Sequence, residues 1–364
     1  MAEIPERIRS IDASGVRRMF DACGPDTINL SLGEPDFDVP DSVKRACISA
    51  VRAGKNGYTP NAGITELRRA IARKLRKENK IRADEDEIIA TCGAIGGLSI
   101  AFQTLLEDGD EVVLFDPYFV AYERLARLNG AKPVSIDTYP DFAIRAEDIE
   151  SKVTARTKAI IANSPCNPTG RVYSGKELKA IAAVADEHDL VVISDEVYEK
   201  FTYEKRHVSI GSIYDKTVTI NGFSKSHAMT GWRIGYMHGP RGIIEQALKL
   251  QQFNFTCAPA PFQYAALAAL KTSVRAHVGA CRRKRDMLWD SLHDCYEFVK
   301  PEGAFFAFAR SPIPAQQFAE RCIERDLAIV PGDAFSGRSS HFRVSFATSR
   351  ENLKRAAAIL RSLA

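Results

Sequence analysis

Between residues 85 and 240 the chain alternates short apolar runs with amphipathic segments, and this alternation restricts its fold more than any other feature. The apolar runs are too short for typical helices and are typical of strands buried on both faces of a sheet. They are "EIIAT" (87–91), "EVVLF" (111–115), "KAIIA" (158–162), "VVIS" (191–194) and "TVTIN" (217–221). Helical periodicity separates them in "LSIAFQTLL", "YERLARL" and "GKELKAIAAVADEH", where Ser174 and Glu177 predict a capping box. The alternation predicts an α/β domain with a largely parallel sheet.

The C-terminal part of the chain follows a different pattern. A long helix is predicted over "VRAHVGACRRKRDMLWDSL" (274–292), then strands in "AFFAFA", "LAIV" and "FRVSFA", then a final helix (350–363) capped by Ser349. This pattern indicates a smaller α+β unit, which the N-terminal residues are expected to join. The predicted division is an N-terminal segment of the small domain (1–45), a large domain (46–275) and a C-terminal small domain (276–364).

Composition argues against several classes of partner. The 50 Lys and Arg residues nearly balance the 46 Asp and Glu residues, so the net charge of +4 indicates neither nucleic acid nor a membrane surface as a partner. No apolar run approaches the roughly 18–20 residues that span a bilayer. The eight cysteines show no CxxC spacing and read as reduced thiols of a cytoplasmic protein. The seven histidines form no HxxxH pair, so no metal site is expected.

Two glycine- and proline-rich loops follow predicted strands, at the edge where open α/β sheets bind ligands. After "EIIAT", Gly93, Ala94 and Ile95 open a helix and would offer backbone N–H groups to a phosphate. A plain strand–helix turn has the same composition. After "KAIIA", the loop "NSPCNPTG" offers the side-chain amide of Asn167, and it also reads as an ordinary β-turn.

Two further strand ends carry ionisable groups. Asp195 follows "VVIS", with Tyr198 three residues later, and its carboxylate is either a ligand group or a helix N-cap. In "NGFSKSHAMTGWRIGY" (221–236), small neighbours leave space beside Lys225, a residue type that normally faces solvent, and Arg233 follows. Together the strand ends supply a phosphate site, an amide, a carboxylate, a phenol, a lysine and an arginine. Pyridoxal 5'-phosphate would use all of them.

The whole chain resembles a class I pyridoxal-phosphate aminotransferase of fold type I, in the subgroup of archaeal and bacterial aspartate and aromatic aminotransferases. "GFSKSHAMTGWRIG" (222–235) fits the family's lysine signature. Other family-like segments, in the family's order, are "LSLGEPDF" (30–37), "GYTPNAGITELR" (57–68), "DPYFVAY" (116–122), "NSPCNPTG" (163–170), "SDEVYEKF" (194–201) and "FRVSFA" (342–347). The resemblance implies a large domain with a mostly parallel mixed sheet flanked by helices, plus a smaller α+β domain.

The resemblance also implies roles around the cofactor ring. Lys225 is expected to bond covalently to the cofactor aldehyde and to move the proton that is shifted during transamination. Asp195 is expected to pair with the pyridine nitrogen, and Tyr198 and Asn167 to hydrogen-bond the ring hydroxyl oxygen. Phe119 resembles the aromatic residue that stacks on the ring face, although a core position would suit it as well.

At the cofactor phosphate, the resemblance implies that Arg233 clamps the group with its planar fork. The backbone of residues 93–95 and the Ser224 hydroxyl are expected to assist. Tyr58 resembles a tyrosine that reaches the phosphate of the neighbouring subunit. This implies a homodimer with shared active sites.

The same family pattern implies the substrate contacts. Arg343 resembles the arginine that binds the substrate α-carboxylate, and Gly33 the residue whose backbone N–H meets the same group. Phe119 and Asn167 are expected to border the substrate as well. The implied reaction moves an amino group from an L-amino acid to a 2-oxo acid, with 2-oxoglutarate as the expected acceptor.

The fold alone does not determine the reaction. The same scaffold and lysine serve carbon–sulfur lyases and other pyridoxal enzymes, so β-elimination is the alternative reaction. A transcriptional regulator with an aminotransferase-like sensor domain is a second alternative. The sequence shows no basic helix-turn-helix segment that would favour it.

The sequence gives partial guidance on the substrate side chain. Ile95 stands where some relatives with acidic substrates carry a lysine, and Val16 where a hydrogen-bonding residue can occur. Both indicate an apolar pocket, which favours an aromatic or apolar donor, with aspartate as the main alternative. The distal carboxylate of 2-oxoglutarate still needs a polar partner, because burying an unpaired charge is expensive. Arg17, Arg18 or a residue of the neighbouring subunit are the candidates.

Overall fold

The computed structural model describes residues 4–9, 11, 15–21 and 23–364. Its α-helices are α1 (Glu6–Arg9), α2 (Gly15–Asp21), α3 (Asp41–Arg52), α4 (Thr65–Lys74), α5 (Gly93–Leu105), α6 (Ala121–Leu128), α7 (Ala146–Glu150), α8 (Gly175–Glu187), α9 (Arg241–Asn254), α10 (Ala260–Ala269), α11 (Arg275–Leu292), α12 (Ala315–Ile323) and α13 (Arg350–Leu363). Its strands are β1 (Ile28–Asn29), β2 (Ile88–Thr91), β3 (Glu111–Asp116), β4 (Lys132–Asp137), β5 (Thr157–Asn163), β6 (Val191–Asp195), β7 (Thr217–Gly222), β8 (Gly235–His238), β9 (Phe306–Arg310), β10 (Leu327–Ala328), β11 (Val330–Pro331) and β12 (His341–Ser345). Short 3-10 helices occur at Glu85–Glu87, Ile210–Ser212 and Gly332–Ala334, and a π-helical turn at Leu75–Asn79. Over the described ranges, no helix is long and apolar enough to cross a bilayer.

A central sheet of 7 strands has the order β2-β8-β7-β6-β5-β3-β4. Neighbouring strands are parallel except where β8 pairs with β2 and β7, both antiparallel. The predicted α/β fold, its mostly parallel mixed sheet and its predicted strands are confirmed. The sequence analysis missed β4 and β8. β4 is an edge strand in which only Ile136 is buried, and β8 has only 4 residues, so neither forms a long apolar run.

The central sheet is covered by helices on both faces. On β3, Val112 and Leu114 pack in the cluster that contains residues of α5 and α9, whereas Val113 and Phe115 pack in the cluster that contains α8. Successive side chains of a strand point to opposite faces, so both sets are removed from water. Each such side chain contributes about 1.5–3 kcal/mol of burial free energy. This two-sided burial explains why the strands read as continuous apolar runs.

The helices predicted between the strands are present as α5, α6 and α8. The Ser174 hydroxyl accepts a hydrogen bond from the Glu177 N–H at 3.2 Å, and Glu177 accepts one from the Ser174 N–H at 2.7 Å, which confirms the capping box of α8. At α13 the Ser349 hydroxyl accepts from the Asn352 N–H at 3.1 Å, as predicted.

The C-terminal elements form a second core. β11, β12 and β9 make an antiparallel sheet, and β1 pairs with β10 in parallel. The predicted strand "LAIV" is divided, because β10 and β11 pair with different partners on either side of Ile329. Helix α11 packs against α13 over this core.

The N-terminal residues pack with the C-terminal core as far as Phe37. Ile28 and Leu30 lie in that core, whereas Val39 and Val43 pack in the cluster that contains α10. These contacts support a junction shortly before α3. The division into residues 1–45, 46–275 and 276–364 stays a prediction.

Candidate active site

A cavity of about 330 Å³ lies past the carboxyl ends of the parallel strands, between the central sheet and the C-terminal core. Of the residues predicted from the sequence, it is lined by Gly33, Ala94, Ile95, Phe119, Asn167, Asp195, Tyr198, Ser224, Lys225, Arg233 and Arg343. Gly93 lies directly behind the Arg233 guanidinium. Tyr58 does not reach the cavity of its own chain, and 89% of its surface is exposed.

Lys225 lies on the turn between β7 and β8. Its Nζ donates a hydrogen bond to the carbonyl oxygen of Gly33 at 2.6 Å. The residue is partly exposed, and it lines the cavity. Burial, reinforced by the positive charge of Arg343, lowers the pKa of Lys225 from 10.5 to about 8. A much larger share of its amine is therefore neutral, and nucleophilic, near pH 7 than in an ordinary lysine.

Asp195 is the last residue of β6 and only 4% of its surface is exposed. The Tyr122 hydroxyl donates to its Oδ2 at 2.7 Å, and the Val197 N–H donates to its Oδ1 at 3.2 Å. The Asn163 side chain donates to its backbone carbonyl at 3.0 Å. Burial raises the pKa of Asp195 to about 6, against the lowering effect of the hydrogen bonds from Tyr122 and Val197. The carboxylate is thus ionised at neutral pH, and its pKa depends on the groups around it.

Arg343 lies on β12 with 2% of its surface exposed. Its guanidinium lies 4.3 Å from the ring centre of Phe306 and 4.6 Å from that of Phe335. Its Nη1 donates to Asn167 Oδ1 at 2.9 Å, its Nη2 donates to the Ser31 carbonyl, and its Nε has no partner among the described residues. Burial lowers the pKa of Arg343 to about 10, so it stays charged at neutral pH. A buried cation with an unpaired N–H is suited to an anionic ligand.

Tyr198 and Asn167 lie beside Lys225 and Arg343. Lys225 Nζ lies 5.9 Å from the centre of the Tyr198 ring. Burial raises the pKa of the Tyr198 phenol, which therefore remains a hydrogen-bond donor. Asn167 is held by its own N–H, which donates to Asn163 Oδ1 at 2.9 Å. No acceptor among the described residues pairs with Asn167 Nδ2, which leaves it available to a ligand.

The other end of the cavity is built for an anion. α5 begins at Gly93, and its N-cap residue, Cys92, provides no side-chain hydrogen bond. The first N–H groups of α5 and the positive end of its dipole are therefore unshielded. Arg233 lies against Gly93, and its Nη1 donates to the Thr230 carbonyl at 2.7 Å.

A cluster beneath the turn after β6 has the residue types of a metal site. Ligand atoms of Glu196, Glu199 and His207 lie within 4.8 Å of one another. Glu199 is paired with Lys74 at 2.5 Å and accepts from Asn79 at 2.8 Å, and Glu196 lies 3.0 Å from His207 Nε2. These contacts satisfy the carboxylates within the protein. We therefore interpret the cluster as a buried hydrogen-bond network.

Comparison with known proteins agrees with this geometry. The family profile of aminotransferases of class I and II matches residues 25–360. The aspartate aminotransferase of Pyrococcus abyssi is 42% identical over 96% of this chain and 95% of its own. Aromatic-amino-acid aminotransferase 2 of Thermococcus litoralis is 38% identical over 97% and 96%. The structure of Thermus thermophilus aspartate aminotransferase with maleate matches with a TM-score of 0.96 and 37% identity, over 100% of both chains. The chain belongs to the class I and II aminotransferase family.

The protein is a pyridoxal-phosphate-dependent aminotransferase of fold type I, as the motifs predicted. The residues of the cavity fit this cofactor on physical grounds as well. An uncapped helix N-terminus and Arg233 suit the phosphate, and the buried Asp195 carboxylate suits a protonated ring nitrogen. Lys225, with its lowered pKa, lines the same cavity and suits the aldehyde.

Sequence reasoning missed several residues of the cavity. Tyr122, Asn163 and Thr230 line it, and Tyr122 and Asn163 both bond Asp195. The available signal for Tyr122 was its position three residues after Phe119 in "DPYFVAY", which places both on one face of a helical turn. The sequence analysis also assigned substrate-pocket roles to Val16, Arg17 and Arg18. Their side chains lie outside the described part of the structure.

Replacing Gly93 by alanine is expected to weaken the binding of pyridoxal phosphate about tenfold or more, or about 1.4 kcal/mol. The added Cβ would collide with the Arg233 guanidinium and displace it. The affinity of the cofactor-free protein, measured by fluorescence titration, tests this. Gly109→Ala is the matched control, because Gly109 also has a positive φ (+86°) but no atom within 4 Å of the added Cβ. Equal losses in both variants would contradict the prediction.

Proposed function

We propose that this aminotransferase acts on an aromatic or apolar L-amino acid, with 2-oxoglutarate as the acceptor. The observation that carries the proposal is the set of cations in the cavity. Within the described residues, these are Lys225, Arg233 and Arg343. Each already has a proposed role toward the cofactor or the α-carboxylate. No further cation in this set is left to pair with the side-chain carboxylate of aspartate, and an unpaired buried charge is costly.

The rest of the lining supports an apolar side chain. Ile95, Leu98 and Val120 contribute hydrocarbon surface, and Ile95 is 39% exposed. The relatives carry names of both kinds, aspartate and aromatic-amino-acid aminotransferase, so their names alone favour neither donor. The distal carboxylate of 2-oxoglutarate lies one methylene further from the α-carbon than that of aspartate. It would be bound beyond these cavity cations, by Arg17, Arg18 or a residue of a second subunit.

The proposed catalytic group is Lys225. When bound, pyridoxal phosphate supplies a ring that withdraws electrons from the substrate α-carbon. Lys225 Nζ would hold the cofactor covalently until the substrate amine displaces it. The freed amine would then take the proton from the α-carbon and deliver it to the cofactor carbon that carried the aldehyde, a role suited to an amine with a pKa of about 8. Asp195 keeps a proton on the ring nitrogen, and Tyr198 and Asn167 hydrogen-bond the ring hydroxyl oxygen. Phe119 borders the ring and the substrate.

The proposed substrate clamp is Arg343. Its buried guanidinium binds the α-carboxylate and thereby fixes the orientation of the Cα–H bond. Gly33 contributes its backbone N–H to the same group. A side chain has no space there, because an added Cβ would lie 2.9 Å from the Phe306 ring.

The phosphate would be held by Arg233, by Ser224 and by the backbone of Gly93, Ala94 and Ile95. We propose that a second copy of the chain completes this end, with Tyr58 of each subunit reaching the phosphate of the other. Arg233 is exposed in the single chain, and so is Tyr58. Phe253 is 83% exposed, which an interface would cover. We also infer a cytoplasmic location, because the eight cysteines are free thiols.

Steady-state kinetics with 2-oxoglutarate test the substrate proposal. kcat/KM for phenylalanine, tyrosine or kynurenine is expected to exceed that for aspartate and alanine. The opposite result, with aspartate tenfold or more above phenylalanine, or about 1.4 kcal/mol, would defeat the argument from the cavity. Formation of glutamate identifies transfer, whereas ammonia and pyruvate would identify the lyase alternative.

A further inference from the structure

Tyr122 makes a buried contact with Asp195 that the proposed mechanism does not use. It lies in the first turn of α6, and only 1% of its surface is exposed. Its hydroxyl donates to Asp195 Oδ2 at 2.7 Å. The Phe119 ring packs against the Tyr122 ring edge-to-face, with centroids 5.6 Å apart and planes at 83°. The phenol is therefore held by packing in one orientation toward the carboxylate.

The charged surroundings of Asp195 explain why this donor matters. Burial disfavours the carboxylate and raises the pKa of Asp195 to about 6, and the negative charge of Glu196 adds to this rise. Three groups lower the pKa of Asp195: the Tyr122 hydroxyl, the Val197 N–H and the positive charge of Lys225. The Tyr122 hydrogen bond comes first among the opposing contributions. Without it, the carboxylate would hold its own proton more tightly, at the expense of the ring nitrogen.

The Tyr122 phenol itself stays uncharged, so it adds no second negative charge beside Asp195. Burial and the negative charge of Asp195 raise the pKa of its phenol well above 10. The Tyr122 hydroxyl thus remains a neutral donor, and its proton stays on the phenol.

We propose that Tyr122 is a positioning residue that fixes the orientation of the Asp195 carboxylate and keeps it ionised, so that the proton shared with the cofactor stays on the ring nitrogen. The proposal rests on the proposed role of Asp195. Tyr122 acts through that carboxylate, which its hydroxyl contacts directly. A tyrosine that served only to fill the core would have no influence on the position of this proton.

The direct test is the protonation state of the ring nitrogen, read from the ¹⁵N chemical shift of ring-labelled pyridoxal phosphate bound to the protein. The wild type is expected to show a protonated nitrogen. Tyr122→Phe is expected to shift the signal toward the neutral pyridine value and to lower kcat about ten- to a hundredfold, the range for a hydrogen bond to a charged group. Tyr214→Phe is the matched control, since Tyr214 is also buried and its hydroxyl donates to the Leu190 carbonyl at 2.7 Å, away from the cavity.

Two further arms separate the possible outcomes. In the first, a cofactor analogue with carbon in place of the ring nitrogen should bind wild type and Tyr122→Phe with equal affinity. In the second, adding Tyr122→Phe to an Asp195→Asn variant should not lower kcat further. An unchanged ¹⁵N shift in Tyr122→Phe, or a variant that binds neither the cofactor nor the analogue, would overturn the proposal. If Asp195→Asn also left the ¹⁵N shift unchanged, the role of Asp195 itself would be wrong.

Discussion

Lys225→Ala is expected to abolish covalent attachment of the cofactor and to lower kcat by at least about 10⁴-fold, the upper range for one acid–base group. The fold should be retained, because the Lys225 amine makes one hydrogen bond, to the Gly33 carbonyl, at the edge of a cavity. Reduction with borohydride followed by mass spectrometry measures attachment, and amino transfer to 2-oxoglutarate measures turnover.

The control for this variant is Lys249→Ala, which removes a lysine that pairs with Gln246 on the exposed side of α9. It should retain both attachment and turnover. A borohydride-stable link that persists in Lys225→Ala would show that another lysine carries the cofactor. That result would also remove the basis for the proposed proton transfer.

Arg343→Ala is expected to lower kcat/KM for amino acids by about 10²–10⁴, equivalent to roughly 3–5 kcal/mol. The guanidinium is buried between the rings of Phe306 and Phe335, so its loss would leave the substrate carboxylate desolvated and unpaired. Arg343→Lys should recover only part of the loss, because an ammonium cannot reproduce the two-pronged contact.

Two measurements separate recognition from a structural effect at this position. Arg310→Ala, on the neighbouring strand β9, removes an arginine that pairs with Glu297 at the surface and should leave kcat/KM nearly unchanged. Amines that lack a carboxylate should react equally slowly with wild type and Arg343→Ala. If their rates fell as much as those of amino acids, Arg343 would be maintaining the shape of the site rather than binding substrate.

The order of strands and helices was readable from the sequence because it depends on local patterns. Strands buried on both faces require continuous apolar runs, and helices between them require a 3.6-residue repeat, so β3, β5, β6 and their neighbours were recognisable. β4 was missed because an exposed edge strand needs few apolar residues, and β8 because its 4 residues are too short for a pattern. "LAIV" was read as one strand because its division depends on two different partners.

Much of the candidate site was predictable for a related reason. In a parallel sheet the carboxyl ends of successive strands lie at one edge, so the polar and ionisable side chains that follow these strands come close together. Asn167, Asp195 and Lys225 were located in this way, each after its own strand. Tyr58 could not be located in this way. It is proposed to act in the active site of a neighbouring subunit, and the strand order of one chain does not predict contacts between two chains.

What the sequence determined by itself is therefore the identity and order of the chemical groups. Only the tertiary structure decided their state. The lowered pKa of Lys225 depends on burial and on Arg343, and the contact of Arg343 with Asn167 joins residues 176 positions apart. The Tyr122–Asp195 hydrogen bond is likewise not readable from the sequence, because it joins the start of α6 to the last residue of β6, which only folding brings together. A pKa reports the desolvation and the electric field at one point, and both are sums over residues that folding brings together.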